Sequence, residues 1–201
     1  MKAIFLDRDG VINKDPGGWT KYNYVTETKD FHFLPGSLEA LKLLCQNRYR
    51  IIIVSNQGGV AKGYFTKEKL AEINSMMLDK IGAAGARIEE VFYCVHKDDD
   101  NCDCRKPKTG MLERAIEKYS IDPRQTYFIG DSFVDVEAGK RLGMRTIFVL
   151  SGKATLQEVR KKGLKPDYVF RDLLESVKWL LGRDKRKAER AVRRKKEGKG
   201  K

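Results

Sequence analysis

Ala3-Ile4-Phe5-Leu6-Asp7-Arg8-Asp9-Gly10-Val11 decides how the chain is read. Four apolar residues run straight into two acids and a glycine, the pattern of a short buried strand that breaks into a turn. Side chains alternate along a strand, so Asp7 and Asp9 can face the same way at its carboxyl end. Two carboxylates held together repel, and a divalent cation relieves the repulsion; Mg²⁺ prefers oxygen ligands and keeps some of its waters. Alone, D-x-D is equally a polar turn after a strand. The apolar run before it and Gly10 after it make the pattern more specific.

Outward from this stretch, the apolar patterns follow the order strand, long polar loop, helix, strand, helix, as in an α/β domain built on a parallel sheet. Residues 3–6, 50–54, 88–93, 127–129, 146–149 and 168–170 read as strands, with 50–54 the most β-branched and hence central. Ser37 is expected to cap a helix carrying Leu38, Leu41, Leu44 and Cys45 on one face. Thr66 is expected to cap the next, with Leu70, Ile73, Met77 and Ile81 at helical spacing. Further helices are expected over 111–119, 134–142, 156–162 and 173–181. The aliphatic and methionine stripes read as packing faces, and Cys45 as a core thiol.

The net charge of +13 on 201 residues is unevenly placed. Residues 183–201 carry 11 basic and 3 acidic side chains, so the division expected is a domain over 1–182 and a basic tail over 183–201. Such a run attracts nucleic acid or acidic surfaces, although a solvated tail is the commoner case. No apolar run approaches the roughly 20 residues that span a bilayer, and Asp7 interrupts the amino-terminal run too early for a signal-peptide core. A soluble, cytoplasmic monomer with no membrane partner is expected.

Three more motifs follow strands, where an open parallel sheet places its ligands. Val54-Ser55-Asn56-Gln57-Gly58-Gly59 offers a hydroxyl and glycine-rich backbone that can direct donors at phosphate oxygens, or is simply a turn. Arg105-Lys106-Pro107-Lys108-Thr109-Gly110 offers Lys106 as a fixed cation and Arg105 as a two-pronged phosphate clamp, or is a solvent-facing loop. Phe128-Ile129-Gly130-Asp131-Ser132-Phe133-Val134-Asp135 places one acid beyond a strand and another a helical turn later.

Together, in this order, the four motifs resemble the haloacid dehalogenase (HAD) superfamily of phosphohydrolases, over about residues 3–150. The resemblance implies a Rossmann-like open parallel sheet with helices on both faces. It implies Asp7 as nucleophile, Asp9 as general acid/base, Ser55 and Lys106 as phosphoryl binders, and a Mg²⁺ on Asp7, the Asp9 carbonyl and Asp131. Asp135 is then expected to orient Lys106, a metal water or a loop. The activity implied is phosphomonoester hydrolysis through an aspartyl-phosphate on Asp7.

Between the strand ending at Tyr93 and the Lys106 loop lie Cys94, His96, Cys102 and Cys104: three of the four cysteines and one of the two histidines within 11 residues. Three thiolates and one imidazole satisfy tetrahedral Zn²⁺ with no open position, which points to a structural zinc that pins the loop. A disulfide is the alternative, and cytoplasmic chains seldom hold one. His32 reads as a loop or surface residue.

A C-x-H…C-x-C loop leading into Arg105-Lys106-Pro107 resembles the zinc-loop branch of that superfamily, which holds heptose 1,7-bisphosphate and histidinol-phosphate phosphatases. The Ser55–Gly63 and Lys106–Met111 stretches are closer to the heptose enzymes. This branch lacks a large cap domain, takes a small phosphorylated sugar, and implies substrate contacts from Asp15 to Gly18, from Ser55, Asn56, Gln57 and Gly58, and from Arg105 and Lys106. Two departures bear on the substrate: a long loop with Trp19, Tyr22 and Tyr24, which can stack on a sugar or cover the site, and Ser132 where the branch often has a cation. A nucleic-acid 3′-phosphatase shares the Asp and Ser-Asn-Gln motifs, and the basic tail favours it, but the zinc loop is foreign to that branch.

Overall fold

The computed structural model describes residues 2–197. Six parallel strands form one sheet: β1 (Lys2–Leu6), β2 (Tyr49–Asn56), β3 (Glu90–Cys94), β4 (Tyr127–Gly130), β5 (Arg145–Val149) and β6 (Tyr168–Phe170). Their spatial order is β3-β2-β1-β4-β5-β6. The chain therefore winds outward through β2 and β3, then returns to the other side of β1 with β4. That reversal opens a crevice at the carboxyl ends of β1 and β4, where doubly wound sheets bind ligands. In register, Leu6 lies between Ile53 and Ile129, and the Asp7 amide extends the ladder by donating to the Ile129 carbonyl (3.0 Å).

Strands covered on both faces are apolar at every position. Ile4, Leu6, Ile51, Ile53, Ile129, Ile147 and Val149 pack on one face against α1 (Ser37–Gln46), α2 (Lys67–Ala83) and α6 (Leu173–Glu197). Phe5, Ile52, Val54 and Phe128 pack on the other against α3 (Gly110–Tyr119) and α4 (Phe133–Arg141). Phe148 meets Val159 of the short α5 (Leu156–Lys161). Phe5 is fully buried, so truncating it to alanine costs about 3–5 kcal/mol. Leu70, Ile73, Met77 and Ile81 are the buried residues of α2, and Thr66 caps it by accepting from the Lys69 amide.

Two boundaries differ from the sequence reading. The residue capping α1 is Gly36 at φ 78°, not Ser37, which is the helix's first residue and makes no cap bond. A side chain on Gly36 would collide with Leu174. The last helix runs to Glu197 instead of ending at 181, so the expected boundary at 182 falls inside it. Its apolar stripe stops at Leu181, but the Lys, Arg, Glu and Ala that follow are good helix formers. Arg183 donates to the Tyr168 hydroxyl, and Asp184 accepts from Lys2 and from the Tyr49 hydroxyl. Residues 198–201 of the basic tail lie outside the described residues. Among the described residues no helix is long and apolar enough to cross a membrane.

Candidate active site

Strand ends bring the acids together. Asp7 follows β1 and Asp131 follows its neighbour β4, while the first turn of α4 adds Asp135. A carboxylate oxygen from each lies within 4.8 Å of the others. The Lys106 ammonium, buried at 2% exposure, is the counter-charge. Its three protons have three acceptors: Asp135 Oδ1 at 2.6 Å, the Val54 carbonyl at 2.9 Å and Asp7 Oδ1 at 3.0 Å. Asn56 fixes the backbone behind it, accepting from the Lys106 amide and donating to its carbonyl, both at 3.0 Å.

The balance of charge is incomplete. Burial pulls the Lys106 ammonium down, but Asp135 and Asp7 more than offset this and hold it above the usual range. Burial pushes Asp7 up to about 7 against the pull of Lys106, with Asp135 and Asp9 adding to the rise. Burial, Asp135 and Asp7 likewise push Asp131 well above the ordinary carboxylate range. One ammonium cannot neutralise three close carboxylates, and an all-oxygen donor set short of positive charge suits Mg²⁺. Asp135 is not free to serve it: Oδ1 is taken by Lys106, and Oδ2 accepts from the Ser132 hydroxyl (2.6 Å) and amide (3.1 Å). Asp7 and Asp131 are the carboxylates that fit a cation. Space around Asp131 is reserved by two glycines: a Cβ on Gly10, itself at φ 79°, would come within 2.5 Å of Asp131 Oδ2, and one on Gly152 would overlap the same oxygen.

Asp9 stands apart from this cluster. Its carboxylate accepts from Arg8 Nη2 (2.9 and 3.0 Å), Asn13 Nδ2 (2.8 Å) and Gln57 Nε2 (2.7 Å). Gln57 Nε2 also lies 3.0 Å from the Ser55 hydroxyl. Arg8 is itself buried, its guanidinium between the rings of Phe31 (5.9 Å) and Tyr93 (5.8 Å).

The second cluster lies where β3 ends. Cys94 Sγ is 3.3 Å from Cys104 Sγ and 3.6 Å from Cys102 Sγ; Cys102 and Cys104 are 3.5 Å apart, and His96 Nδ1 is 3.3 Å from Cys104 Sγ. A disulfide needs about 2.05 Å, and all four cysteines are free thiols. Zn–S bonds of about 2.3 Å give tetrahedral edges of about 3.8 Å, so the four donors frame a zinc site with slightly short edges. Burial and the neighbouring thiols push Cys94 up to about 12, a cost that a bound cation removes.

A cavity of about 710 Å³ opens over the carboxylate cluster. Asp7, Ser55, Lys106 and Asp131 line it, together with Asp15, Asn23, Tyr24, Phe133, Lys153 and Lys162.

Residues 103–176 match the family model described as HAD-hydrolase-like. A D-glycero-beta-D-manno-heptose-1,7-bisphosphate 7-phosphatase of Pasteurella multocida is 36% identical over 188 residues, covering 90% of this chain and 97% of that protein. Its counterpart in Haemophilus ducreyi is 37% identical over 189 residues, covering 89% and 98%. The chain belongs to this HAD phosphatase family. The crystal structure of D,D-heptose 1,7-bisphosphate phosphatase from B. bronchiseptica, complexed with magnesium and phosphate, superposes with a TM-score of 0.83 at 32% identity, covering 91% of this chain and 99% of that one.

Within this HAD phosphatase, several residues expected at the substrate lie off the cavity wall. Gln57 is fully buried and spent on Asp9 and Ser55. Gly58 backs onto the Arg105 guanidinium and the His96 carbonyl. Arg105 turns to the zinc loop, donating to Asp98 (2.6 Å) and to the His96 carbonyl (3.3 Å). Gly18 has nothing within 4 Å of its would-be side chain. The Asp9 carboxylate is outside the metal-fitting group; the ligand expected from Asp9 is its backbone carbonyl. Of the loop aromatics only Tyr24 lines the cavity: Tyr22 stacks on Tyr64 at 4.4 Å, and the Trp19 indole donates to the Asp15 carbonyl. Arg8 and Asn13 were missed as partners of Asp9, since the middle residue of D-x-D reads as a surface position.

Proposed function

We propose that this phosphatase removes the 7-phosphate of D-glycero-D-manno-heptose 1,7-bisphosphate, with Asp7 as the residue that becomes phosphorylated. The observation that carries the chemistry is the meeting of Asp7, Lys106 and Asp131 at the β1/β4 crevice. Its relatives' activity supports the sugar.

All hydrogen bonds of the Asp7 carboxylate among the described residues fall on Oδ1, from the Arg8 amide (2.7 Å) and Lys106. Oδ2 is thus the attacking oxygen: it forms the bond to phosphorus as the P–O bond to the sugar breaks. Lys106 and the Ser55 hydroxyl hold the phosphoryl oxygens, and Asp9 gives a proton to the departing sugar oxygen. Asp9 then accepts a proton from the water that attacks phospho-Asp7, releasing phosphate and restoring the carboxylate. Its three fixed donors suit this accepting half of the cycle. A Mg²⁺ held by Asp7, Asp131 and the Asp9 carbonyl supplies the positive charge that lets a carboxylate meet a phosphate dianion. Zinc on Cys94, His96, Cys102 and Cys104 is structural in this reading.

In this reading the enzyme is cytoplasmic and a monomer, with residues 1–182 as the catalytic unit. Phosphate release from heptose 1,7-bisphosphate, histidinol phosphate and 3′-phosphorylated oligonucleotides, with and without Mg²⁺, tests the assignment. The heptose should give the highest kcat/KM, and a clear preference for either other substrate would replace it.

A further inference from the structure

The amino-terminal edge of the sheet, opposite the catalytic rim, carries cations that the reaction does not use. Along β2, Tyr49 at this edge and Ser55 at the cavity are about 20 Å apart. A groove of about 610 Å³ is lined here by Lys2, Arg48, Arg50 and Glu89. A smaller hollow of about 220 Å³ shares Arg50 and Glu89 and reaches Arg87. The acids at the groove are matched: Glu89 lies 3.4 Å from Arg50 Nε, and Asp184 pairs with Lys2. Arg48 and Arg87 are exposed, and neither side chain has an ion pair or hydrogen bond among the described residues. Arg48 adopts φ 60°, a left-handed conformation that glycine or asparagine takes with less strain, so the turn itself does not call for an arginine.

The last helix arrives at the same groove. Asp184 accepts from Lys2 and from the Tyr49 hydroxyl, and both residues line it. Lys185 and Arg186 follow and are exposed. The helix then continues to Glu197, about 20 Å beyond Asp184. Residues 185–197 include eight basic and two acidic side chains, and nothing apolar larger than Val192.

We infer that this groove and the basic end of α6 form one docking surface for the phosphodiester backbone of a nucleic acid. The surface is separate from the catalytic cavity and independent of which phosphomonoester is hydrolysed there. Its cations are strung along strand ends and a helix instead of converging on one point, which fits a repeating anion better than a single phosphate. A membrane is the poorer match, because a helix lying among lipid headgroups buries Trp, Phe or Leu on one face, and residues 185–197 contain none of these.

The test is fluorescence anisotropy of the full-length protein with a labelled duplex DNA of about 20 base pairs, the RNA duplex of the same sequence, and the single strands of each. The duplexes should bind without sequence preference. Affinity should fall about a thousandfold between about 50 and 200 mM salt, as roughly six phosphate contacts dictate. An Arg48→Gln, Arg87→Gln double variant should bind about tenfold more weakly and flatten the slope of log K against log salt by about 1.8. A Lys185→Gln, Arg186→Gln double variant should do the same. Lys67→Gln with Arg160→Gln removes equal charge from exposed positions, one opening α2 and the other on α5 beside the catalytic cavity. That control should keep affinity within about twofold of wild type.

Binding to either DNA or RNA supports the surface, and the tighter of the two names the source of the backbone. Cooperative melting of each variant shows that lost affinity is not lost folding. No binding to any probe at about 50 mM salt, or wild-type affinity in the Arg48, Arg87 variant, would overturn the inference. A larger loss in the Lys67, Arg160 control would move the nucleic acid to the catalytic side and overturn it as well. Vesicles with about one-third phosphatidylserine should not displace the duplex; displacement would reassign the surface to a membrane.

Discussion

Two clusters of metal-ligating side chains sit on the same rim of this sheet and are built in opposite ways. Asp7 and Asp131 offer oxygens from two adjacent strand ends, far apart in sequence, and open onto a cavity. Cys94, His96, Cys102 and Cys104 come from one continuous loop, supply four donors, and leave no position for a substrate. The first arrangement is adjustable and short of charge; the second is closed and self-sufficient. They meet at one segment, because Cys104 is two residues from Lys106. The closed cluster fixes the loop that carries the open cluster's cation.

The sharpest way to break this division of labour is Asp7→Asn, which should leave melting cooperative and lower phosphate release about 10⁴-fold. Wild-type turnover in that folded variant would remove Asp7 from the reaction. Cys104→Ser should act at a distance. Zinc measured by elemental analysis should fall from one equivalent towards none, with turnover down about 10–100-fold as the Lys106 loop loosens. Undiminished activity in zinc-free protein would show that the two clusters are independent.

Smaller effects sharpen the same contrast. Asn56→Ala removes both clamps on the Lys106 backbone and should cost about tenfold or more in kcat with zinc content unchanged. Gly152→Ala pushes a methyl group against Asp131. It should raise the Mg²⁺ concentration for half-maximal activity about tenfold, again without loss of zinc. EDTA should abolish turnover in the wild type, with Mg²⁺ alone restoring it; recovery that required zinc would merge the two roles.

Most of this plan was readable before any coordinates. Strand cores such as Ile51-Ile52-Ile53-Val54 identify themselves because burial on both faces leaves no polar positions. The zinc ligands are legible because their spacing lies within a single loop. Asp7, Lys106 and Asp131 were found because each follows a strand, and the parallel order then forces their convergence. What escaped depends on neighbours remote in sequence. Arg8 is buried only because Phe31 and Tyr93 close over it. Arg105, read as a phosphate clamp or a solvent-facing residue, pairs with Asp98 of the preceding loop, which the sequence does not show. The end of α6 was misread because its helix outlives its apolar stripe.

The direction of α6 has a practical outcome. It descends from the cavity side of the sheet to the opposite margin, where Asp184 joins Lys2 and Tyr49. Immobilising the enzyme through its carboxyl terminus should accordingly leave the mouth facing free solution, with diffusion of a small sugar unobstructed.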